Sequence, residues 1–440
     1  MKKHKAGMIS LGCSKNLIDS ELILGCLRDA GFDITSDEKD ADVIVVNTCG
    51  FIASAKEESI NTILEAARDR KDGAKLVVSG CLSQRYPEEL RESLPEVDLF
   101  WGVGKHKELA DAICALVGMQ CGCAYSGARM LSTPKYSAYL RIADGCDNRC
   151  TYCAIPLIRG GRRSVPIEKL VEEAQALAAG GVKELTLIAQ DTSAYGSDIY
   201  GEPKLAELLN ELSIIDGIKW LRVLYAYPNT VTEELVDTML SNEKIVRYID
   251  MPIQHIDSVM LETMNRHGSA EHIRRITRYI REASPDFILR TTVMLGFPGE
   301  TEEQFELLYD FLKNEPFDRV GAFVFCPEDG TKAALMDGQI DEATAKARLD
   351  KIMRMQQTVS LELNKKRIGK EYEVLIERAD KDACYGRSYA EAPDVDGIIK
   401  IINIPASVKP GDFVYAKITD ASAYDLKGEF VKWTFPTSLP

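Results

Sequence analysis

The sequence contains no hydrophobic run that could cross a membrane, because none approaches the roughly 20 consecutive apolar residues of a transmembrane helix. The start of the chain, Met1–Lys5, is basic, but the apolar stretch after it is interrupted by Ser10, Gly12 and Ser14. This stretch is too short for a signal peptide. We therefore expect a cytoplasmic protein that does not associate with membranes.

The chain also lacks an excess of basic residues. Its 54 Lys and Arg are outnumbered by 68 Asp and Glu, which gives a formal net charge of −14 at pH 7. This charge argues against a nucleic-acid-binding surface over the whole protein, since such surfaces are basic, but it leaves room for a local basic groove. The length of 440 residues predicts about three domains.

Cysteine, in contrast, is abundant, with twelve in the chain. In a long cytoplasmic chain we expect cysteines to serve in metal binding or catalysis. Three of them, Cys146, Cys150 and Cys153, lie within eight residues, after a predicted strand at Tyr139–Ala143. Thiolates bind iron–sulfur clusters, and three ligands leave one iron of a four-iron cluster open to a substrate or cofactor. The alternatives are a structural zinc loop, which needs a fourth ligand, and three unused thiols.

Residues 1–118 alternate short apolar runs with amphipathic helical stretches, a pattern typical of an open parallel α/β sheet. The predicted strands are Gly7–Leu11, Val43–Val46 and Leu76–Ser79. A cysteine follows each strand within three residues, at Cys13, Cys49 and Cys81. Because the carboxyl ends of neighbouring parallel strands meet at one ligand-binding edge, we expect the three thiols to converge and bind a second cluster.

The other interpretation of these three cysteines is that they are small apolar residues of the core. We expect that role for a further set of cysteines: Cys26, Cys114, Cys326 and Cys384. Residues 119–136 are rich in Gly, Ser, Thr and Pro and are predicted to form a linker. The pair Cys121 and Cys123 lies in this linker, where we expect no functional role for it.

Residues 137–367 contain six predicted strands that alternate with helices, which favours a partial (β/α)6 barrel with its site at the carboxyl ends of the strands. The predicted strands are Tyr139–Ala143, Glu184–Ala189, Trp220–Tyr225, Tyr248–Ile253, Leu289–Leu295 and Val320–Cys326. The first of them leads directly into the loop with Cys146, Cys150 and Cys153, so the cysteines stand where the topology predicts a site.

Polar residues follow several of these strands. Thr301 is placed to cap a helix that begins at Glu302. His255 is compatible with a structural histidine and with a catalytic base. The basic run Arg159–Ser164, after the cysteine loop, could bind phosphate or carboxylate groups, although a solvated turn is the simpler interpretation.

Residues 368–440 change to short β runs separated by turn residues, which predicts a small five-stranded barrel. This module resembles TRAM, which is often an RNA-binding attachment. Between Gly369 and Pro440, however, 9 Lys and Arg stand against 12 Asp and Glu. Because RNA binding needs basic charge, we expect this module to contact a basic protein and do not favour nucleic-acid binding.

Two local patterns carry a resemblance to known families. The spacing of Cys146, Cys150 and Cys153, with Tyr152 before the last cysteine, resembles the radical S-adenosylmethionine (SAM) family. The amino-terminal stretches are similar to the corresponding domain of the methylthiotransferases. Those stretches are Leu11–Asn16, Asp19–Glu21, Asn47–Cys49 and Gly80–Cys81.

The resemblance implies two 4Fe–4S clusters and SAM as cofactors. One electron from the cluster of Cys146, Cys150 and Cys153 would cleave SAM to methionine and a 5′-deoxyadenosyl radical, which abstracts a hydrogen atom from the substrate. The auxiliary cluster of Cys13, Cys49 and Cys81 would supply the sulfur, and a second SAM the methyl group. In radical-SAM enzymes residues at strand ends contact SAM, which assigns this role to Tyr152 and Gln190.

The residues after the first cysteine, Ser14-Lys15-Asn16, resemble the methylthiotransferases that modify a ribosomal protein. The expected reaction is therefore insertion of a methylthio group at the β-carbon of an aspartate in small-subunit ribosomal protein twelve, with a flavodoxin or ferredoxin as electron donor. The main alternative is methylthiolation of a tRNA adenosine. A non-catalytic iron–sulfur protein that binds the translation machinery is a second alternative.

Overall fold

The computed structural model of the chain describes residues 4–120 and 125–434. Cys121 and Cys123, the cysteine pair of the predicted linker, lie outside the described residues. The chain divides into two compact units. The first unit consists of Met1–Pro134, Asp144–Arg162 and Cys326–Ala334, and the second of Lys135–Ala143, Arg163–Phe325 and Leu335–Pro440.

The first unit is built on a parallel sheet whose strands, among the described residues, lie in the order β2-β1-β3-β4-β5. These strands are β1 Lys5–Ser10, β2 Asp33–Ile34, β3 Val43–Thr48, β4 Lys75–Gly80 and β5 Leu99–Phe100. The helices of this unit are α1 Ser14–Asp29, α2 Ala53–Asp69, α3 Cys81–Arg85, α4 Pro87–Ser93, α5 His106–Leu116 and α6 Ile155–Arg159. The prediction of an open parallel α/β sheet is confirmed.

Strand β3 is buried along its whole length, as expected for a central parallel strand covered by helices on both faces. Val43 and Val45 pack on one side with Leu27 of α1. Ile44 and Val46 pack on the other side, in a cluster with residues of α2 and α4. The alternation of strand side chains thus supplies two cores, one on each face.

The second unit contains a parallel sheet of six strands among the described residues, in the order β13-β12-β11-β10-β9-β6. Its strands are β6 Ser137–Arg141, β9 Glu184–Ile188, β10 Trp220–Val223, β11 Ile245–Asp250, β12 Ile288–Leu295 and β13 Arg319–Val324. A short strand, β8 Arg163–Ser164, also belongs to this unit, and the short strand β7 Ala143–Asp144 lies where the chain passes from the second unit to the first. The helices are α7 Ile167–Ala179, α8 Ser197–Tyr200, α9 Leu205–Ser213, α10 Glu233–Ser241, α11 Ser258–Thr263, α12 Ala270–Ala283, α13 Glu302–Asn314 and α14 Glu342–Lys365. This sequential order confirms the predicted partial (β/α)6 barrel.

The start of α13 shows why a local pattern could predict an element boundary. The Thr301 hydroxyl accepts a hydrogen bond from the Gln304 backbone N–H, and the Gln304 side chain accepts one from the Thr301 N–H. This reciprocal capping box satisfies two backbone donors at the helix start, with Glu302 and Glu303 in the first turn. The prediction that Thr301 caps the helix is confirmed.

The carboxyl-terminal strands close into a barrel in the order β14-β15-β16-β18-β17 within the described residues. They are β14 Glu371–Ala379, β15 Cys384–Arg387, β16 Ile399–Ile402, β17 Phe413–Ala421 and β18 Leu426–Trp433. Alternate side chains such as Val374, Ile401 and Val414 fill the interior. The predicted five-stranded barrel is confirmed.

The segment before β6, predicted as a linker, packs along α1 of the first unit. The Met130 N–H donates to the Glu21 carbonyl at 3.0 Å, and the Ser132 N–H donates to the Glu21 carboxylate at 2.8 Å. Gly25 lies under this segment, where a Cβ would stand 2.2 Å from the Ala128 carbonyl oxygen. The segment therefore lies on the helix because position 25 carries no side chain.

A buried ion network joins the barrel strands to the carboxyl-terminal module inside the second unit. The Glu184 carboxylate accepts from Arg222 Nε at 3.0 Å and from Arg387 Nη2 at 2.7 Å, and all three side chains are buried. Burial opposes the charge of Glu184, but the two guanidinium groups outweigh it and lower its pKa to about 2. Glu184 is therefore ionised in the folded protein.

We predict that Glu184→Gln lowers the free energy of unfolding by about 3–5 kcal/mol, because it removes the carboxylate that pairs with the buried Arg222 and leaves Arg387 only its pair with Glu377. The folded pKa of Glu184 lies below its ordinary value of 4.5, so its contribution is present above pH 4.5 and is lost as the pH falls toward 2. Denaturant unfolding at neutral pH and near pH 3 measures both effects. Glu202→Gln, in an exposed pair with Lys204, is the control and should not shift the midpoint. An unchanged midpoint for Glu184→Gln would contradict the prediction.

Candidate functional site

Cys13, Cys49 and Cys81 stand at the carboxyl ends of three adjacent strands of the first unit. The register pairs Ser10 with Asn47 and Thr48 with Gly80, so the ends of β1, β3 and β4 are level with one another. Cys13 precedes α1, Cys49 follows β3 directly, and Cys81 begins α3. The topology thus brings the three cysteines to one edge of the sheet, as predicted.

The loop at Cys13 approaches Cys49 closely. Gly12 has a φ of +84°, and a Cβ placed on it would stand 2.8 Å from the Cys49 Cβ and 3.0 Å from its Sγ. A side chain at position 12 would therefore displace the Cys49 thiol. Glycine serves here both for its left-handed backbone and for the space that it leaves.

The thiols of this set also affect one another electrostatically. Burial raises the pKa of Cys81 to about 11, while Arg159 lowers it and the neighbouring Cys13 and Cys49 raise it. Burial raises the pKa of Cys49 as well. Exposure rises from the buried Cys81 through Cys49 to the exposed Cys13, so the set opens on one side.

The second cysteine set lies in the loop before α6, which belongs to the same unit. Gly145 has a φ of +76°, and a Cβ there would meet the Gly161 carbonyl oxygen at 2.1 Å. The Cys146 N–H donates to the Gly160 carbonyl at 3.1 Å, which closes the loop on its own exit. The Cys153 N–H donates to the Cys150 carbonyl at 3.0 Å. All three thiols of this loop are partly exposed.

Arg159, the last residue of α6, connects the two cysteine sets. Its Nη2 lies 2.8 Å from Asp19 Oδ2 and 3.6 Å from Cys81 Sγ, and its Nη1 lies 3.1 Å from Asp144 Oδ1. The interpretation of the basic run as a solvated turn is therefore wrong for Arg159, whose side chain is buried. The carboxylates that it binds are the protein's own.

The side chain of Cys81 also packs against the segment that follows Cys153. Cys81 forms a small buried cluster with Ala154 and Ile158, the residues that lead from the second cysteine loop into α6. Cys81, the most buried cysteine of one set, therefore packs against the residue that directly follows the last cysteine of the other set.

Residues 326–334 contact segments next to cysteines of both sets. Glu328 is buried, with Arg85 Nη1 at 2.8 Å and Lys56 Nζ at 2.9 Å. Arg85 also donates to the carbonyl oxygen of Gly50, next to Cys49. The Ala333 N–H donates to the Thr151 carbonyl at 2.9 Å, inside the second cysteine loop. This segment thus connects both loops of the first unit.

The predicted strand-end residues of the barrel lie in the second unit. Gln190 follows β9 and is half-buried. His255 is completely buried, with its Nε2 at 3.4 Å from Glu300 Oε1, and its Nδ1 accepts a hydrogen bond from the Asp257 N–H. The Nε2 atom makes no hydrogen bond within the described residues, so both interpretations of His255 stay open. Tyr152 is half-buried in the cysteine loop of the first unit.

Each cysteine set supplies thiols, the ligand type that iron–sulfur clusters take. Within residues 4–120 and 125–434, no three His, Cys, Asp or Glu side chains are gathered closely enough to hold one ion. A tetrahedral zinc would draw its thiolates around a single point, with each sulfur about 2.3 Å from the metal. In a four-iron cluster each thiolate binds a different iron, so the thiols stand further apart. Each set offers three thiols, and glycines leave space beside them.

Several contributors to this site were not found from the sequence. His106 and Glu328 carry no local motif of their own, and their partners lie far away along the chain. Asp19 lies in one of the stretches that carry the family resemblance, but nothing in the sequence indicated its contact with Arg159. Arg159 stood in a basic run near the cysteine loop, which was the available signal, but nothing in the sequence indicated that it contacts Cys81.

Comparison with known proteins defines the class. Three family models match: Uncharacterized protein family UPF0004 at residues 5–102, the Radical SAM superfamily at residues 140–312 and the TRAM domain at residues 368–431. In structure the chain is similar to TsrM, a radical SAM methyltransferase from Kitasatospora setae, with a TM-score of 0.57 and 16% identity over 86% of this chain and 79% of that one. The fold and the cysteine sets define a radical-SAM enzyme with a second, amino-terminal cysteine set.

Two relatives then identify the family. The ribosomal protein uS12 methylthiotransferase RimO of Caldicellulosiruptor saccharolyticus is 48% identical over 440 residues, covering 97% of this chain and 100% of the relative. The RimO protein of Acetivibrio thermocellus is 45% identical and covers 98% and 99%. The chain therefore belongs to the radical-SAM methylthiotransferase family named for ribosomal protein uS12. SAM and two 4Fe–4S clusters are the cofactors of this family, as expected from the sequence.

Among the described residues, no helix combines the length and apolar character needed to cross a membrane.

We predict that Gly12→Ala lowers the iron content of the anaerobically reconstituted protein by about half, because the new Cβ displaces Cys49 and disrupts one of two four-iron sites. Gly73→Ala is the matched control, since Gly73 has a similar φ of +79° with no atom within 4 Å of the added Cβ. Iron and sulfide per chain are the measurement. Equal iron content in the two variants would contradict the prediction, because it would show that the space beside Cys49 is not needed for cluster binding.

Proposed function

We propose that this chain inserts a methylthio group at the β-carbon of an aspartate in ribosomal protein uS12, giving 3-methylthioaspartate. The observation that carries the proposal is the pairing of two three-thiol sets in one unit, with Cys81 packed against the residues that follow Cys153. A reaction that joins radical formation to sulfur transfer needs both sites close together. The family membership supports the same reaction and the same substrate.

We assign Cys146, Cys150 and Cys153 to the SAM-binding cluster. The auxiliary cluster is assigned to a second set of ligands: Cys13, Cys49 and Cys81. When bound, SAM and the two clusters supply the radical, the sulfur atom and the methyl group, chemistry that no side chain provides. The contacts of Tyr152 and Gln190 with SAM stay predictions.

The chain's own residues hold the two thiol sets in position. Gly12 and Gly145 let the loops close without clashes, and Arg159 ties α1 to α6 through Asp19. The buried pair of Arg85 with Glu328 fixes the loop after Cys49. These contacts pre-organise the thiols before any cofactor binds.

We further propose a cytoplasmic location, a flavodoxin or ferredoxin as electron donor, and a protein rather than a nucleic acid as partner of the carboxyl-terminal barrel. The excess of carboxylates in residues 369–440 supports the last point, since a basic ribosomal protein would be attracted and RNA repelled. This assignment departs from the RNA-binding role often associated with TRAM modules.

The decisive measurement is the intact mass of uS12 from cells with and without this gene. We expect a gain of about 46 Da when the gene is present, the difference between H and SCH3. The tRNA of the same cells is the control and should keep its methylthio-adenosine content in both strains. An unchanged uS12 mass, with methylthio-adenosine lost from the tRNA, would favour the tRNA reaction instead.

Two cysteine variants separate the two sites. Cys150→Ala should abolish formation of 5′-deoxyadenosine from SAM and a reductant, because the SAM-binding site loses a ligand. Cys49→Ala should keep this cleavage and lose methylthiolation. Liquid chromatography of the SAM products and the mass of uS12 provide the two readouts. Equal loss of SAM cleavage in both variants would contradict the division of roles, and cleavage absent from the wild-type protein would favour a non-catalytic role.

A further inference from the structure

Arg159 places a fixed positive charge against one of the proposed auxiliary ligands. Its Nη2 stands 3.6 Å from Cys81 Sγ, within reach of an N–H···S hydrogen bond, and both side chains are buried. In such a setting a charge acts through little water and is only weakly screened by salt. The guanidinium therefore stabilises negative charge on this sulfur.

The guanidinium is held in this position by carboxylates. Asp19 Oδ2 lies 2.8 Å from Nη2 and Asp144 Oδ1 lies 3.1 Å from Nη1. Asp19 is itself fixed, because its other oxygen lies 3.2 Å from His106 Nε2. A planar guanidinium with several N–H donors can hold two carboxylates and still donate to a sulfur, which an ammonium group does less well. Arg159 is thus a pre-positioned donor.

A hydrogen-bond donor to Cys81 would affect the sulfur-transfer step. If a substrate carbon radical formed a bond to an iron-bound sulfur and the iron–sulfur bond broke, the sulfur would leave in a neutral thioether. The net charge of the auxiliary site would not change, but its irons would be reduced by one electron, which a higher reduction potential favours. Hydrogen bonds to cluster sulfurs and nearby positive charge raise the reduction potential of an iron–sulfur cluster.

We propose that Arg159 is a positioning residue that raises the reduction potential of the auxiliary cluster through Cys81. This inference rests on the proposed function, which assigns Cys13, Cys49 and Cys81 as ligands. Arg159 ends the helix that follows Cys153. The same short segment therefore follows the SAM-binding loop and carries the residue that raises the reduction potential of the auxiliary cluster.

The test is a redox titration of the auxiliary cluster by electron paramagnetic resonance. It uses the full chain with Cys146, Cys150 and Cys153 replaced by Ala, so that the signal comes from the auxiliary site. We call this triple variant the parent. In the parent, Arg159→Met should lower the equilibrium constant for one-electron reduction of the auxiliary cluster at least tenfold. The midpoint potential would then move by about 59 mV to more negative values. Arg159→Lys keeps the charge without the fork and should shift the midpoint less.

Arg129→Met is the matched control. Arg129 is also a buried arginine of the first unit, paired with Glu21 at 3.5 Å. Its replacement removes a buried ion pair to which we assign no contact with the cluster ligands. The midpoint potential of the auxiliary cluster should therefore not move. A shift of the same size for Arg129→Met would make the effect a general consequence of lost packing and would overturn the inference.

Iron and sulfide content separates the possible failures. If the parent binds neither, the ligand assignment of the proposed function is wrong and the inference falls with it. If the parent and Arg159→Met both keep the cluster at the same midpoint, the inference alone is overturned. If Arg159→Met loses the cluster, Arg159→Gln decides, because it keeps an N–H donor and removes the positive charge. An unchanged midpoint in that variant overturns the inference and a shift to more negative potential supports it.

Discussion

The buried contact between Arg159 and Asp19 is the interaction on which the arrangement of the first unit depends. It joins α6, which follows one cysteine loop, to α1, which follows the first cysteine of the other set. Removing either partner would leave a buried charge without compensation, a change that typically costs several kcal/mol. Because the pair is directional as well as charged, it fixes the relative position of two loops that no covalent bond connects nearby.

Buried ion pairs join several segments of this chain that are distant in sequence. Arg85 and Glu328 connect α3 to residues 326–334, and Arg387 and Glu184 connect the carboxyl-terminal barrel to β9. Apolar contacts of similar area could stabilise these junctions equally well, since desolvation offsets much of the attraction in a buried pair. Apolar packing, however, tolerates sliding. A carboxylate bound by guanidinium groups restricts the relative positions of the segments that it joins. This restriction suits cysteine loops whose thiols must keep fixed distances from one another.

The features that depend on local sequence were the ones that could be predicted. The parallel sheets followed from apolar runs alternating with amphipathic helices, and Thr301 followed from a capping pattern of four residues. Convergence of Cys13, Cys49 and Cys81 followed from strand topology. The contact of Arg159 with Cys81 spans 78 positions and could not be predicted, because no periodicity encodes it. For the same reason the packing of the segment before β6 on Gly25 was not predicted. The boundaries of the predicted domains stay predictions.

The first unit is built from segments that lie far apart in the sequence, which affects when it can form during synthesis. Its sheet is encoded within the first quarter of the chain, but the unit also includes residues 144–162 and 326–334. During translation the carboxylate of Glu328 reaches Arg85 only after more than half of the chain has followed. Pairings over such distances in sequence form slowly, because a long loop has to close first. The first unit therefore stays incomplete in the nascent chain until residues 326–334 have been synthesised.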